Sequence, residues 1–184
     1  MTTYGTRYFI DAEFHEDGKT IDLLSLALRC DDGRELYLVN SDNVVMLRAM
    51  DNKWLRENVM DKIGEPYMRY ANGGETRLHP MMRKEMARQI VGFVHGDVHE
   101  SLEFWGYYAD YDWVVFAQIF GKMIDLPSRF PWFCLDLKQL AWSRGIKDLS
   151  AFIQPTNEHN AMADARWNET LYNHLIKMET IDGR

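Results

Sequence analysis

Apolar positions alternate with polar ones in the first third of the chain and recur at three-and-four spacing in the rest. Arg7 to Phe14 is aromatic and β-branched, which predicts a strand. Asp17-Gly18 marks a turn, and Ile21 to Cys30 is a second apolar run. Asp31-Asp32-Gly33 turns again, and Glu35 to Val39 reads as a third strand, so the chain opens as an antiparallel meander. Residues 42–63 read as helical, and residues 64–78, with Pro66 and Gly73-Gly74, as a loop. Met82, Met86, Ile90, Phe93 and Val94 mark one helical face, with Pro80 near its start and Gly96 past its end. Leu102 to Tyr108 follows as a strand, then Asp112 to Phe120 as a short helix closed by Gly121, then a Pro-containing loop over 122–131. Phe133 to Asp136 reads as a strand leading into a helix that runs to Arg144. A connecting loop over 145–159 precedes the last helix, 160–178. No repeat or linker divides the chain, so one domain over 1–184 is expected. This order predicts an α/β fold, a mixed sheet with helices on its faces.

Several acids stand where the pattern calls for apolar side chains. Alternation in the first strand puts Phe9, Asp11 and Glu13 on one side and Ile10, Ala12 and Phe14 on the other. Both sides are mostly apolar, as in a central strand, so two carboxylates project together from a buried face. Like charges held this close raise each other's pKa or need a cation. The bland reading is an edge strand with two solvated acids. Asp112 shares a stripe with Val115, Phe116 and Ile119, although Asp is also a favoured N-cap. In the last helix Asp164 shares a stripe with Ala161, Leu171, Leu175 and Met178. His159 sits in the loop entering that helix, where an exposed loop histidine is the ordinary alternative.

No Lys or Arg falls on these stripes to neutralise the acids, which points to divalent metal. All-oxygen ligation suits Mg²⁺ or Mn²⁺ better than zinc. Carboxylates around two such ions, about 4 Å apart, form the two-metal arrangement of phosphoryl transfer, with His159 placed to take a proton from the attacking water.

Composition complicates this picture. The chain carries 21 Lys plus Arg and 28 Asp plus Glu, a formal charge of −7 over 184 residues. An acidic body ordinarily repels nucleic acid, yet two dications would place four positive charges where a phosphate must sit. No apolar run nears the roughly 20 residues of a membrane span, so no membrane partner is expected. The N-terminus lacks the signature of a signal peptide, and two cysteines are too few for a disulfide framework, which makes a cytoplasmic setting the default.

Asp11-Ala12-Glu13, Tyr111-Asp112 and His159-Asn160-Ala161-Met162-Ala163-Asp164 resemble, in order, the three motifs of the DEDDh 3′–5′ exonucleases. Asp11-Ala12-Glu13-Phe14, Glu16-Asp17-Gly18, Thr20-Ile21 and Leu23-Leu24-Ser25, with Trp105 ahead of Tyr111-Asp112, resemble more narrowly the small bacterial and phage exoribonucleases typified by ribonuclease AS. The resemblance implies a ribonuclease H-like fold, two Mg²⁺ or Mn²⁺ ions, nucleoside 5′-monophosphate products and a homodimer. It implies single-stranded RNA with a 3′ end as substrate, adenosine-rich RNA being one candidate. Carried onto this chain, it makes Asp11, Glu13, Asp112 and Asp164 metal ligands and His159 the general base. Phe14 is a candidate to pack on the terminal base or a core strand residue. The pattern is departed from at Tyr108, where the superfamily often has Asn, and Asp110 adds a competing acid. The same site on DNA, or a silent RNA-binding module on the same fold, are the alternatives.

Other features carry less. His95 and His99 have ligand spacing, but Gly96 and Asp97 interrupt the helix and no third ligand is evident. His15, His79 and His174 read as surface residues, Asp136 as structural, and Trp54, Trp132 and Trp142 as core or interface residues. Arg83, Lys84 and Arg88 form a basic patch that reads as a solvated face, or as an RNA backbone contact if it borders the groove.

Overall fold

A computed structural model describes residues 5–94, 101–149 and 157–181. Seven strands form one sheet: β1 (Thr6–Glu16), β2 (Ile21–Cys30), β3 (Glu35–Val39), β4 (Tyr67–Arg69), β5 (Glu75–Arg77), β6 (Leu102–Gly106) and β7 (Leu135–Asp136). Their spatial order is β5-β4-β3-β2-β1-β6-β7. The β1–β5 pairs are antiparallel, whereas β6 runs parallel to β1 and β7 parallel to β6. The helices are α1 (Asn43–Asp51), α2 (Lys53–Asn58), α3 (Arg83–Val94), α4 (Asp110–Phe120), α5 (Leu137–Ser143) and α6 (Ala161–Ile181). This is the expected α/β architecture of a mixed sheet flanked by helices.

Several boundaries differ from the sequence reading for physical reasons. The 64–78 segment is not all loop: β4 and β5 form a hairpin on the sheet edge. Each strand is three residues long and partly charged, too short to show alternation, and Gly73 makes the turn with φ +82°. The helical stretch 42–63 is broken at Asn52, which closes α1 with its backbone and caps α2 by accepting from Leu55 N. A 3₁₀ turn, Met60–Lys62, follows. Strand β6 ends at Gly106 rather than Tyr108, and α4 begins at Asp110. Met82 precedes α3 and is exposed, as is Met178 on α6, so neither belongs to the buried stripe assigned to it. His15 is buried, because β1 stays paired with β2 out to Glu16. The His95/His99 pair, residues 1–4 and residues 150–156 of the connecting loop lie outside the described residues.

Strand β1 is central and covered on both faces. Tyr8, Ile10 and Ala12 pack with Met86, Ile90 and Phe93 of α3 and with Val115, Phe116 and Ile119 of α4. On the other face Phe9 packs with Leu137 and Ala141 of α5 and with Leu171, Tyr172 and Leu175 of α6. The first turns of α6 continue over β2 and β3, where Ala161, Met162 and Ala165 meet Ala27, Tyr37 and Val39. One buried acid on this face is fully neutralised. Glu35 of β3 accepts from two guanidinium nitrogens of Arg166, Nε and Nη2, each at 2.7 Å, with Arg29, Arg69 and the Tyr67 hydroxyl adding to the set. Burial pushes its pKa up, but these partners hold it below the usual carboxylate value.

The step that builds the site is a mismatch in strand length. Parallel pairing of β1 with β6 stops at Phe9 opposite Trp105, while β1 runs on. Beyond that point the backbone groups on this edge of β1 need side-chain partners. The Ile10 carbonyl accepts from Asn168 Nδ2 of α6 at 2.9 Å, and the Ala12 N–H donates to Asp112 Oδ1 of α4 at 2.7 Å.

Candidate active site

Asp11 and Glu13 project from β1 toward α6, on the face that also carries Phe9. Asp164, in the first turn of α6, completes a triad whose carboxylate oxygens lie within 4.8 Å of one another. Asp112 stands outside that triad but lines the same cavity, of about 420 Å³, together with His159 and Phe14. All six residues singled out from the sequence therefore border one space.

Asp112 is not a helix cap. Ala109 holds the N-cap position of α4, and Asp112 sits in the first turn with its carboxylate turned to the Ala12 N–H. Asp136 is structural, as expected: it caps α5 through Gln139 N at 2.7 Å and accepts the Ala109 N–H at 2.8 Å, so it also sets where α4 begins. Asp110 is exposed.

His159 occupies a left-handed backbone conformation, φ +65°, which an L residue adopts only when its surroundings hold it there. Its N–H donates to Asp164 Oδ2 at 2.9 Å. Asn160 caps α6 through Ala163 N and donates its amide to the Lys62 carbonyl at 2.7 Å. Lys62 Nζ in turn donates to the Glu158 carbonyl at 2.6 Å. The segment carrying His159 is thus tied to α6 on one side and to the 3₁₀ turn on the other.

Electrostatically the cavity is a frustrated cluster of acids. Burial, followed by the charges of Asp112, Asp164 and Glu13, raises Asp11 well above the usual carboxylate range. Burial and the charges of Asp164 and Asp112 push Glu13 up to about 8. Burial raises Asp112 to about 7 against its backbone hydrogen bonds, and Asp164 to about 6. Lys62 opposes the shifts at Glu13 and Asp164 without cancelling them. Glu35 shows what three arginines do for a buried acid in this same protein; among the described residues no arginine pairs with these four. Clustered, desolvated, all-oxygen donors short of positive charge fit a hard divalent cation.

Aromatic rings wall the cavity. Phe14 stacks on Tyr111, centroids 5.9 Å apart at 13°. Phe14 also packs against the core formed with α3 and α4, the core-strand role of the two left open for it. Trp54 of α2 meets the His159 ring edge-on at 5.0 Å, and Tyr107 and Tyr108 complete the wall. Trp54 is half exposed, not a core residue, and Trp132 and Trp142 are exposed as well. Trp54 and Lys62 were not legible as site residues. They come from the 42–63 segment, where no motif marks them, and only the placement of α2 and of the 3₁₀ turn after it brings them in.

The family model for the 3′-5′ exoribonuclease Rv2179c-like domain matches residues 6–176. The chain is 32% identical over 160 residues to "3'-5' exoribonuclease Rv2179c" of Mycobacterium tuberculosis strain ATCC 25618 / H37Rv, covering 87% of each chain. It matches "3'-5' exoribonuclease MT2234.1" of strain CDC 1551 / Oshkosh with the same identity and coverage. Phe14, Trp54, His159 and the four acids all fall within the matched span.

Proposed function

Because the chain belongs to the Rv2179c-like 3′–5′ exoribonuclease family, we propose that it is itself a metal-dependent 3′–5′ exoribonuclease that removes nucleoside 5′-monophosphates from single-stranded RNA. The observation that carries this reading is the meeting of Asp11, Glu13 and Asp164 on one cavity with Asp112 and His159.

Asp11, Glu13, Asp112 and Asp164 would hold two Mg²⁺ or Mn²⁺ ions. When bound, the ions supply Lewis-acid stabilisation of the charge that develops on the phosphoryl oxygens. The protein's own residues supply the rest. His159 takes the proton of the water that attacks phosphorus, and the P–O3′ bond breaks, leaving the phosphate on the released nucleotide. The hydrogen bonds around Glu158, His159 and Asn160 fix the backbone from which that imidazole projects, and Trp54 limits where the ring can turn. Phe14, steadied by Tyr111, offers a flat surface to the terminal base.

The family resemblance supports three further readings: a homodimer, a single domain over 1–184, and RNA rich in adenosine among the substrates. Among the described residues no helix is long and apolar enough to cross a membrane, and the sparse cysteines suit a cytoplasmic setting.

The test is release of 5′-nucleotides from 5′-end-labelled RNA in Mg²⁺ or Mn²⁺. A ladder shortening from the 3′ end, abolished by chelator and by Asp112→Asn, is expected. Absence of metal-dependent trimming from every RNA tried would refute the reading.

A further inference from the structure

A second cavity, about 570 Å³, opens beside the carboxylate cavity. It lies between the β1–β2 turn, the start of α3 and the outer side of α4, and no motif of the proposed reaction falls in it apart from Tyr111. Tyr111 lines both cavities, so its ring borders the two. One face of that ring stacks on Phe14, yet the residue is 57% exposed, which leaves surface free on the side of the second cavity.

The charges differ from those of the carboxylate site. Lys19 and Arg83 line this groove with Gln118, alongside Glu16 and Asp22. The acids are already engaged. Asp22 accepts from Arg48 at 2.6 Å, and Glu16 accepts from Gly18 N. Arg83 stands 3.7 Å from the other Asp22 oxygen, a loose pairing that a phosphate can replace. The cavity on the other flank, lined by Asp11, Glu158, His159 and Asp164, has no Lys or Arg in its lining. Of the basic patch on α3, Arg88 pairs with Glu85, and neither it nor Lys84 lines the groove; Arg83 alone borders it.

We infer that this groove holds the nucleotides upstream of the two that flank the scissile bond, their phosphates on Lys19 and Arg83 and a base against the free surface of Tyr111. The inference rests on the exoribonuclease reading for the 3′ end and adds where the strand goes from there. Two cations and an aromatic face joined to a site for a chain end match a single strand of alternating phosphate and base. The grip is short, so the enzyme distinguishes very short from longer RNA and is indifferent to base identity in this groove.

The experiment is calorimetric titration in Mg²⁺ with RNA of two and of five nucleotides, all linkages phosphorothioate so that neither is consumed. The five-nucleotide RNA should bind at least about fivefold tighter, the smallest gain that one base on an aromatic ring supplies. Two phosphate contacts, at about −0.7 each in the salt slope, weaken its binding a further sevenfold or so between 50 and 200 mM salt relative to the shorter RNA. The double variant Lys19→Gln/Arg83→Gln should lose this extra salt dependence and the part of the length gain that the phosphates supply, Tyr111 keeping the rest, while the dinucleotide binds as before. Equal affinity for both lengths, or equal weakening of both by the double variant, overturns the inference. Length-dependent binding that needs Arg83, in a protein that trims no RNA, upholds the groove and refutes the exoribonuclease reading instead.

Discussion

The burden at the residue scale falls on four clustered acids, Glu13 and Asp112 buried and Asp11 and Asp164 half-buried. Their pKa values in the folded chain lie above the unfolded values of about 4, so the metal-free fold binds extra protons and is most favoured at low pH. That stabilisation is lost as pH rises through about 6 for Asp164, 7 for Asp112 and 8 for Glu13. The melting temperature in chelator should therefore fall from pH 5 to pH 8, and Mn²⁺ should restore more at pH 8 than at pH 5. A flat or rising profile in chelator contradicts the assignment. Asp112→Asn keeps an oxygen for the Ala12 N–H and removes a charge, so it should melt no lower than the parent in chelator at pH 8 while losing turnover. His159→Ala separates proton transfer from ligation. Its turnover should drop by about 10²–10⁴-fold while calorimetry shows metal bound as before, and a variant that no longer binds metal would reassign the residue.

Elements set the geometry through their ends. Strand β6 stops short of β1, and Gly106 at its last position lies so close that a Cβ there would be 2.8 Å from Ala109 Cβ and 3.3 Å from the Ile10 carbonyl. Gly106→Ala must push the start of α4 away from β1, at a cost of about 1–3 kcal/mol in chemical denaturation. It should also lower turnover by moving Asp112. The 3₁₀ turn acts on the other side of the cavity. Lys62→Met keeps the side-chain stem but loses the hydrogen bond to the Glu158 carbonyl, which loosens the segment carrying His159. The expected result is a fall in kcat of about tenfold to a hundredfold with KM little changed, since small misplacements of a catalytic group cost rates of that order. An equal rise in KM would place Lys62 on the substrate instead.

For the whole molecule the net charge of −7 sets the terms on which RNA is held. If dications fill the candidate site, as proposed, an acidic body would hold a chain end locally, not a long stretch of strand, so affinity should rise over the first few nucleotides and then level off. Matched RNA and DNA oligomers compared side by side should favour RNA, because the 2′-hydroxyl is the one group that distinguishes them. The strands β1–β3, the helices α3, α4 and α6, and the four acids of the candidate site were legible in the chain, because buried periodic stripes tolerate acids only for a reason and Asp11, Glu13, Asp112 and Asp164 interrupt those stripes, while His159 was legible only through the motif it shares with Asp164. The hairpin β4–β5 was not, being too short for its alternation to register. Nor were Trp54, Lys62 and the shared role of Tyr111. These residues carry no local constraint that departs from an ordinary helix or loop, and their importance arises only from what lies next to them. Periodicity is a property of neighbours along the chain and is decided by the sequence itself. The cavity is made where β1 outruns β6 and where α2, α4 and α6 converge on the exposed edge, a matter of long-range packing and of unpaired backbone groups seeking partners, and that only the tertiary structure decided.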